Sequence, residues 1–128
     1  MTPTPSPTKR WTVVRIIYNQ QYNKRMDELI TYIGEKWRCT PNRYPEMEGM
    51  SEDERFRFVL RHSALHFAKT AGKIAATSED VDHGEKINIK DLKRNAVKSL
   101  INSLYLAGQL KMTESELTAL TKEIVGAK

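Results

Sequence analysis

The stretch from Ser51 to Ala76, SEDERFRFVLRHSALHFAKTAGKIAA, decides the fold. At about 100° per residue, its apolar side chains cover most of a helix circumference. One narrow polar line runs along this helix and carries His62, His66, Lys69 and Lys73. A helix that is apolar around most of its surface is typical of a buried helix. The polar line of such a helix faces a cavity or meets polar groups of a neighbouring helix.

A second stretch, from Ile89 to Leu110, repeats this pattern. Its polar line, edged by Tyr105, consists of Asp91, Asn95, Lys98, Asn102 and Gln109. Two mostly apolar helices satisfy such polar groups when the two lines face each other or share a pocket. The sequence therefore predicts a polar layer between these two helices.

Two further helices and three connections complete the pattern. Apolar residues three or four apart predict a first helix over 10–37, although β-branched residues leave a strand open over 11–18. Prolines and a glycine predict a loop over 39–50, and polar residues predict a connection over 78–84. Capping boxes at Ser51 and Thr113 predict the starts of the second and fourth helices. We therefore expect an all-α four-helix bundle over 10–128, preceded by a disordered arm over 1–9.

The composition of the 128-residue chain fits one cytoplasmic domain. A single cysteine, Cys39, excludes an internal disulfide and a cysteine-based zinc site. No run approaches the roughly 18 apolar residues of a membrane span, so no membrane partner is expected. Helices with this much apolar surface leave faces that one short bundle does not cover, which predicts a homodimer or a dimer of dimers. The net charge of +5 favours anionic partners such as nucleotides or nucleic acid.

The two central helices resemble those of a known family. The runs Arg61–Ala76 (RHSALHFAKTAGKIAA) and Asp91–Ala107 (DLKRNAVKSLINSLYLA) look like the second and third helices of the MazG-like all-α nucleotide pyrophosphohydrolases. Leu110–Leu117 is similar to the segment that leads into the fourth helix of that family. The resemblance implies a MazG-like four-helix fold. In the family, Glu-Glu-x-x-Glu on one helix and Glu-x-x-Asp on the next bind Mg²⁺, which organises a nucleoside triphosphate for attack by water.

The resemblance also shows where this chain departs from the family. Aligned on Ala71-Gly72 and Leu100-Ile101-Asn102, the five carboxylate positions fall on Lys69, Thr70, Lys73, Asn95 and Lys98. Lysine does not ligate Mg²⁺ at neutral pH, and threonine and asparagine are neutral oxygen donors. The resemblance thus implies a non-catalytic or altered member, without a cofactor. Such a domain would bind a nucleotide or other anion, or act as an interaction or regulatory module.

The leading site hypothesis is a cationic pocket for an anion. Lys69, Lys73 and Lys98 would supply the positive charge that metal ions supply in the enzymes, because lysine binds phosphate as a point charge. The polar residues completing this candidate site are His62, His66, Asn95 and Asn102.

Four alternatives remain open on the sequence. In a vestigial site, the lysines would reach the surface or pair with Asp91, Glu79 or Asp80. His62 and His66, four residues apart on one helix, also fit a transition-metal site. A pyrophosphohydrolase with relocated Mg²⁺ ligands would use the acidic connection, namely Glu79, Asp80, Asp82 and Glu85. A nucleic-acid-associated protein would stack bases on Trp11, Tyr18, Tyr22, Trp37 and Tyr44.

Overall fold

The computed structural model describes residues 25–127, and every regular element in that range is helical. Helix α1 covers 25–36, and a short 3-10 turn, Pro45–Met47, lies in the loop that follows. The other helices are α2 (Glu52–Asp82), α3 (Ile89–Gln109) and α4 (Glu114–Gly126). This confirms the all-α class. The expectations for the arm over 1–9 and for helix or strand over 11–18 lie outside the described residues.

Side-chain caps fix the starts of the three long helices. Ser51 accepts a hydrogen bond from the Glu54 N–H at 3.2 Å, and Thr113 accepts one from the Glu116 N–H at 3.4 Å. Asn88 caps α3 in the same way through its Oδ1, which accepts from the Asp91 N–H at 3.0 Å. Each cap satisfies a backbone N–H that has no partner within the helix. The predicted starts of α2, α3 and α4 are confirmed.

Helix α2 is longer than the sequence pattern predicted. It runs to Asp82 instead of ending near Ala76, so the prediction of a connection over 78–84 was wrong. Thr77 is buried inside the helix, and its hydroxyl donates to the Lys73 carbonyl at 3.2 Å. The Thr77 hydroxyl therefore makes its hydrogen bond within the helix, and this residue does not end the helix. The helix ends before Gly84, whose φ of 87° is the left-handed conformation that favours glycine.

Helices α2 and α3 form an antiparallel hairpin with a polar layer between them. The buried polar side chains at this interface are Ser63, Thr70 and Thr77 of α2 and Asn95 and Asn102 of α3. Asn102 Nδ2 donates to the Ser63 carbonyl oxygen at 2.9 Å, in a buried position. Burial of a polar group is inexpensive only when its hydrogen bonds are made, as they are here. A polar layer therefore lies between the two helices, and on α3 it contains the predicted Asn95 and Asn102. On α2 the prediction was wrong: the layer uses Ser63, Thr70 and Thr77, whereas Lys69 and Lys73 of the predicted line are exposed.

The apolar core lies at one end of this hairpin, where α1 and α4 meet it. It is built on Ile33 of α1, Val59 of α2, and Leu104 and Tyr105 of α3, with Leu117 of α4 packed against them. Close approach of α1 to α3 depends on Gly108, because a Cβ there would lie 3.2 Å from Ile30 Cγ2.

The apolar faces of α2 and α3 are not buried within one chain, contrary to the expectation for such helices. The exposed large apolar side chains on the two helices are Phe56, Leu60, Leu65, Ile74, Val81, Ile89, Val97 and Leu100. Along most of the hairpin the buried positions are polar, because the hairpin closes on Ser63, Thr70, Asn95 and Asn102. Buried apolar residues lie at the end where α1 and α4 pack. Within residues 25–127, no helix combines the length and apolar character needed to cross a membrane.

A tertiary cap attaches α4 to α1. The Asp27 carboxylate accepts a hydrogen bond from the Glu114 N–H in the first turn of α4 at 3.0 Å. Asp27→Ala is expected to lower the free energy of unfolding by about 1 kcal/mol, because this N–H loses its acceptor. Urea denaturation followed by circular dichroism measures the change. Glu35→Ala, which removes an exposed carboxylate from the same helix, is the control; equal losses in both variants would rule out the cap.

Candidate functional site

A small pocket lies where the loop after α1 crosses the start of the polar line on α2. We call it the histidine pocket; it is lined by Trp37, Arg38, Cys39, Arg43, Tyr44, His62, Ser63, His66, Asn102 and Tyr105. Its empty volume is about 310 Å³ including its mouth. The structure thus brings three predicted residues, His62, His66 and Asn102, to one place and adds a wall from the loop.

Hydrogen bonds link three side chains of this pocket in a row. Tyr44 Oη lies 2.9 Å from His62 Nε2, and His62 Nε2 lies 3.0 Å from His66 Nε2. A ring nitrogen carries either one hydrogen or one lone pair. At any moment, His62 Nε2 can therefore make a full hydrogen bond with only one of its two neighbours, Tyr44 or His66. The other neighbour is left with hydrogen-bonding capacity that a proton or a ligand could use.

Aromatic packing holds the two imidazoles in place. The Phe58 ring stacks on His62 with centroids 5.8 Å apart and an interplanar angle of 9°. Trp37 packs against His66 at 5.5 Å, and Tyr44 meets His62 edge-on at 4.8 Å. These contacts explain Trp37 and Tyr44 as packing residues of the pocket, although the sequence also offered them for base stacking.

The surroundings of His66 disfavour its protonated form. Burial lowers the pKa of His66 below its ordinary value of 6.5, and the neighbouring His62 and Lys69 lower it further. The imidazole is therefore neutral at pH 7, with one donor and one acceptor nitrogen. Lys69 lies one turn beyond His66 on α2, so its charge extends the positive side of the pocket.

Tyr105 and Cys39 close the far wall of the pocket. The Cys39 backbone N–H donates to Tyr105 Oη at 3.3 Å, which fastens the loop to α3. Burial, together with the neighbouring Cys39, raises the pKa of Tyr105 to about 12. The phenol stays protonated at neutral pH and has a structural role.

Arg38 and Arg43 in this wall were missed at the sequence level. Both line the pocket, although they lie in a segment that was read only as a loop. A pair of arginines beside Tyr44 and the first polar turn of α2 was the available signal. The sequence did not reveal which side of the hairpin the loop would cross.

A second group of cations lies further along the hairpin, at the surface beside the polar layer; we call Lys69, Lys73 and Lys98 the lysine cluster. Lys69 and Lys73 are exposed, and Lys98 is partly exposed. Lys73 and Lys98 approach each other from facing helices. The positive charge of Lys73 is the largest cause of a lowered pKa for Lys98; Arg94 adds to the effect and Asp91 opposes it. The structure therefore brings together two of the three predicted lysines across the hairpin, and the third beside His66.

The two predicted asparagines are part of the polar layer. Asn95 is only 1% exposed, and its Nδ2 donates to Asp91 Oδ2 at 3.3 Å. Asn102 uses its Nδ2 for the Ser63 carbonyl, so its amide holds the helices together at the edge of the histidine pocket. Gln109 lies exposed at the end of α3 and outside this pocket.

The lysine cluster has no carboxylate partner in the described part of the chain. Ion pairs within residues 25–127 are Arg57 with Asp53 at 3.0 Å and His83 with Glu79 at 3.7 Å. Of the vestigial-site alternative, the ion pairs with Asp91, Glu79 or Asp80 are not formed, whereas the exposure of Lys69 and Lys73 at the surface is what the structure has. Asp91 is near enough to attract Lys98, but the repulsion from Lys73 is larger, and such an excess of like charge favours an anion or exposure to solvent.

The acidic connection offered for Mg²⁺ is largely helical. Glu79, Asp80 and Asp82 belong to the last turns of α2, where successive side chains diverge by about 100°. Glu85 lies beyond the end of the helix. Over residues 25–127, no group of three or more His, Cys, Asp or Glu side chains is arranged to hold a metal ion. The His62–His66 pair thus offers two imidazole donors of a transition-metal site, without a third from this set.

The lowered pKa of His66 predicts loss of stability on acidification. Because the unfolded chain takes up this proton first as the pH falls below 6.5, protonation favours the unfolded state. The free energy of unfolding should therefore drop between about pH 7.5 and about pH 5.5, and His66→Gln should reduce that drop. Denaturant titrations at the two pH values measure it. His83→Gln, at the exposed end of α2, is the control; a drop unchanged in His66→Gln would contradict the assignment.

Comparison with known proteins found no relative of this chain. No family model, curated protein or solved structure matches the chain. The functional argument therefore depends on the pocket, the lysine cluster and the charges around them.

Proposed function

We propose that this chain is a non-catalytic, MazG-like domain that binds a phosphate-bearing anion, such as a nucleotide, along the polar layer of the α2–α3 hairpin. The single observation that carries the proposal is the approach of Lys73 and Lys98 from facing helices without an ion-paired carboxylate. A bound phosphate would neutralise both charges at once. Lysine serves this purpose as a point charge that does not require one fixed geometry.

The neighbouring histidine pocket supports the same reading. Arg38 and Arg43 line it, and guanidinium groups bind phosphate oxygens with two parallel N–H donors. The Tyr44–His62–His66 row supplies hydrogen-bonding groups within the same pocket. In a bound nucleotide, the phosphates would meet the cations, and a polar group of the base or sugar would reach the mouth of the pocket. Nucleotide remains the chemical class that we favour over a simple anion.

The side chains at the helix interface argue against the usual reaction of the MazG-like enzymes. Thr70 and Asn95 are buried in the polar layer, and Lys69, Lys73 and Lys98 are cationic. Asp91 is the carboxylate beside this group, and it accepts a hydrogen bond from Asn95. A single carboxylate among several cations is a poor site for Mg²⁺, which prefers several oxygen ligands. This supports a binding or regulatory domain over a pyrophosphohydrolase.

Thermal unfolding with ATP or inorganic pyrophosphate tests the proposal, with each ligand added in EDTA and in Mg²⁺. A ligand present at about 100 times its Kd should raise the Tm by roughly 10 °C, and the rise should not require metal. Lys69→Ala and Lys98→Ala should abolish the rise. Lys122→Ala, which removes the same charge from α4, should retain it.

Other results of these experiments would refute nucleotide binding or favour one of the alternative functions. Absence of a shift in every condition would refute nucleotide binding, and equal loss in Lys98→Ala and Lys122→Ala would indicate only a general charge effect. Release of pyrophosphate that depends on Mg²⁺ would favour the relocated pyrophosphohydrolase. Salt-sensitive binding to generic DNA that survives both lysine substitutions would favour the nucleic-acid reading.

The lysine cluster also predicts that removing one of its positive charges stabilises the folded protein. Lys98→Met keeps the length of the apolar stem and removes the repulsion from Lys73. In ligand-free protein at low salt, the Tm of Lys98→Met should lie above that of the unsubstituted chain. The difference should shrink as NaCl is added, because salt screens exposed charges. If the Tm of Lys98→Met were lower than that of the unsubstituted chain at every salt concentration, Lys98 would be shown to stabilise the fold.

A further inference from the structure

The two imidazoles of the histidine pocket approach each other through the same ring atom. His62 Nε2 and His66 Nε2 lie 3.0 Å apart, whereas the ring centroids are 4.5 Å apart. Two rings whose nitrogens pointed straight at each other would have centroids farther apart, by the distance from centroid to nitrogen in each ring. The rings are therefore tilted relative to the line between the two nitrogens, which weakens a hydrogen bond along that line.

The same tilt fits two ligands that share one ion. At the usual ion-to-nitrogen distance of about 2.05 Å, nitrogens 3.0 Å apart would subtend about 94° at the ion. Rings aimed at that ion would have centroids about 4.7 Å apart, close to the 4.5 Å in the structure. An angle of about 90° belongs to square-planar and tetragonal sites, the geometry of Cu²⁺ and Ni²⁺, whereas zinc prefers the wider tetrahedral angle.

An ion would also relieve the shortage of hydrogen bonds in the Tyr44–His62–His66 row. His62 Nε2 has two neighbours, Tyr44 Oη at 2.9 Å and His66 Nε2 at 3.0 Å, but makes a full hydrogen bond with only one of them. On an ion, both Nε2 atoms would donate their lone pairs, with the hydrogen of each ring on Nδ1. The Tyr44 hydroxyl would then be available for a water molecule held by the ion.

The two nitrogen donors are held in place before any ion binds. His62 and His66 lie one turn apart on α2, so their side chains extend from the same face of a rigid helix. Phe58 stacks on the first imidazole and Trp37 packs against the second, with ring centroids 5.8 Å and 5.5 Å apart, respectively. Binding therefore costs little side-chain ordering, and the second imidazole adds to the first within one molecule.

Positive charge around the pocket opposes a cation but does not exclude it. Arg38, Arg43 and Lys69 are exposed, so water and salt screen their repulsion. The affinity for the ion should consequently rise as sodium nitrate is added. A metal ion bound at a cluster of carboxylates would show the opposite trend, because salt weakens the attraction between exposed opposite charges.

We propose that the histidine pocket binds one Ni²⁺ or Cu²⁺ ion through His62 Nε2 and His66 Nε2. Within residues 25–127, no third His, Cys, Asp or Glu side chain completes the set, so water fills the remaining positions. Such an ion has open positions at which a small ligand can replace water. The proposal is independent of anion binding at the lysine cluster, because it uses neither Lys73 nor Lys98.

Isothermal titration calorimetry of full-length, EDTA-washed protein with Ni²⁺ tests the site; Ni²⁺ is used because it does not oxidise the Cys39 thiol as Cu²⁺ does. One Ni²⁺ ion should bind per chain, more tightly than Zn²⁺. His62→Gln and His66→Gln should each raise the Kd on the order of 100-fold, because one imidazole alone remains. His83→Gln, which removes the third histidine of the chain at the exposed end of α2, should leave the Kd unchanged.

Thermal unfolding separates the loss of the site from the loss of the fold. In EDTA, both glutamine variants of the pocket should unfold cooperatively, as the unsubstituted chain does. Ni²⁺ should raise the Tm of the unsubstituted chain and of His83→Gln, and should leave the Tm of His62→Gln and His66→Gln unchanged. Lys98→Ala should keep the Ni²⁺ shift even if it loses a nucleotide shift, so the two proposals can fail separately.

Four results would each overturn the metal site. They are absence of Ni²⁺ binding to the unsubstituted chain, tighter binding of Zn²⁺ than of Ni²⁺, an equal loss of affinity in His83→Gln, and a Kd that rises with sodium nitrate. The first, second and fourth are measured on the unsubstituted chain, so they do not depend on how well any variant folds.

Discussion

The buried hydrogen bond from Asn102 to the Ser63 carbonyl sets the alignment on which the rest of the structure depends. An amide donor in an apolar environment is costly when it has no acceptor, so sliding of α3 along α2 by one turn would leave it unsatisfied. The bond therefore selects one register of the two helices. That register places Lys98 beside Lys73 and brings Tyr105 to the loop that forms the wall of the histidine pocket.

The same register separates the two kinds of surface. With Ser63 and Thr70 closed against Asn95 and Asn102, exposed apolar residues such as Leu60 and Ile74 lie on one side of the hairpin, and the aromatic and cationic groups around the loop occupy the other. Polar contacts thus give the hairpin its specificity, whereas most of its apolar surface is left for contacts outside the hairpin.

The sequence predicted those features that depend on local chemistry. The caps at Ser51 and Thr113 and the buried asparagines of α3 follow from side-chain type and spacing, and the structure has them. The α2 side of the polar layer was predicted on the wrong line, because Ser63, Thr70 and Thr77 are small enough to be counted with the apolar face. The end of α2 was mistaken because Thr77 reads as a break, although inside a helix its hydroxyl bonds to the preceding turn. The wall with Arg38 and Arg43 was not predictable, since the path of the loop depends on how α1 packs against α3 near Gly108. Periodicity indicated that the apolar faces need cover, but not what would cover them.

The fastening of the loop to α3 has a consequence for how the pocket responds to acid. The bond uses the Cys39 backbone N–H and the Tyr105 phenol, whose pKa is raised to about 12, so neither group gains or loses a proton in the pH range of living cells. The imidazole of His66, in contrast, gains a positive charge once the pH falls below its lowered pKa. Acidification therefore adds positive charge to the pocket, while the hydrogen bond that holds its wall to α3 is unchanged. In this pocket, His66 sets the electrostatic potential, whereas Cys39 and Tyr105 hold the wall in place. Only the electrostatic potential responds to mild acid.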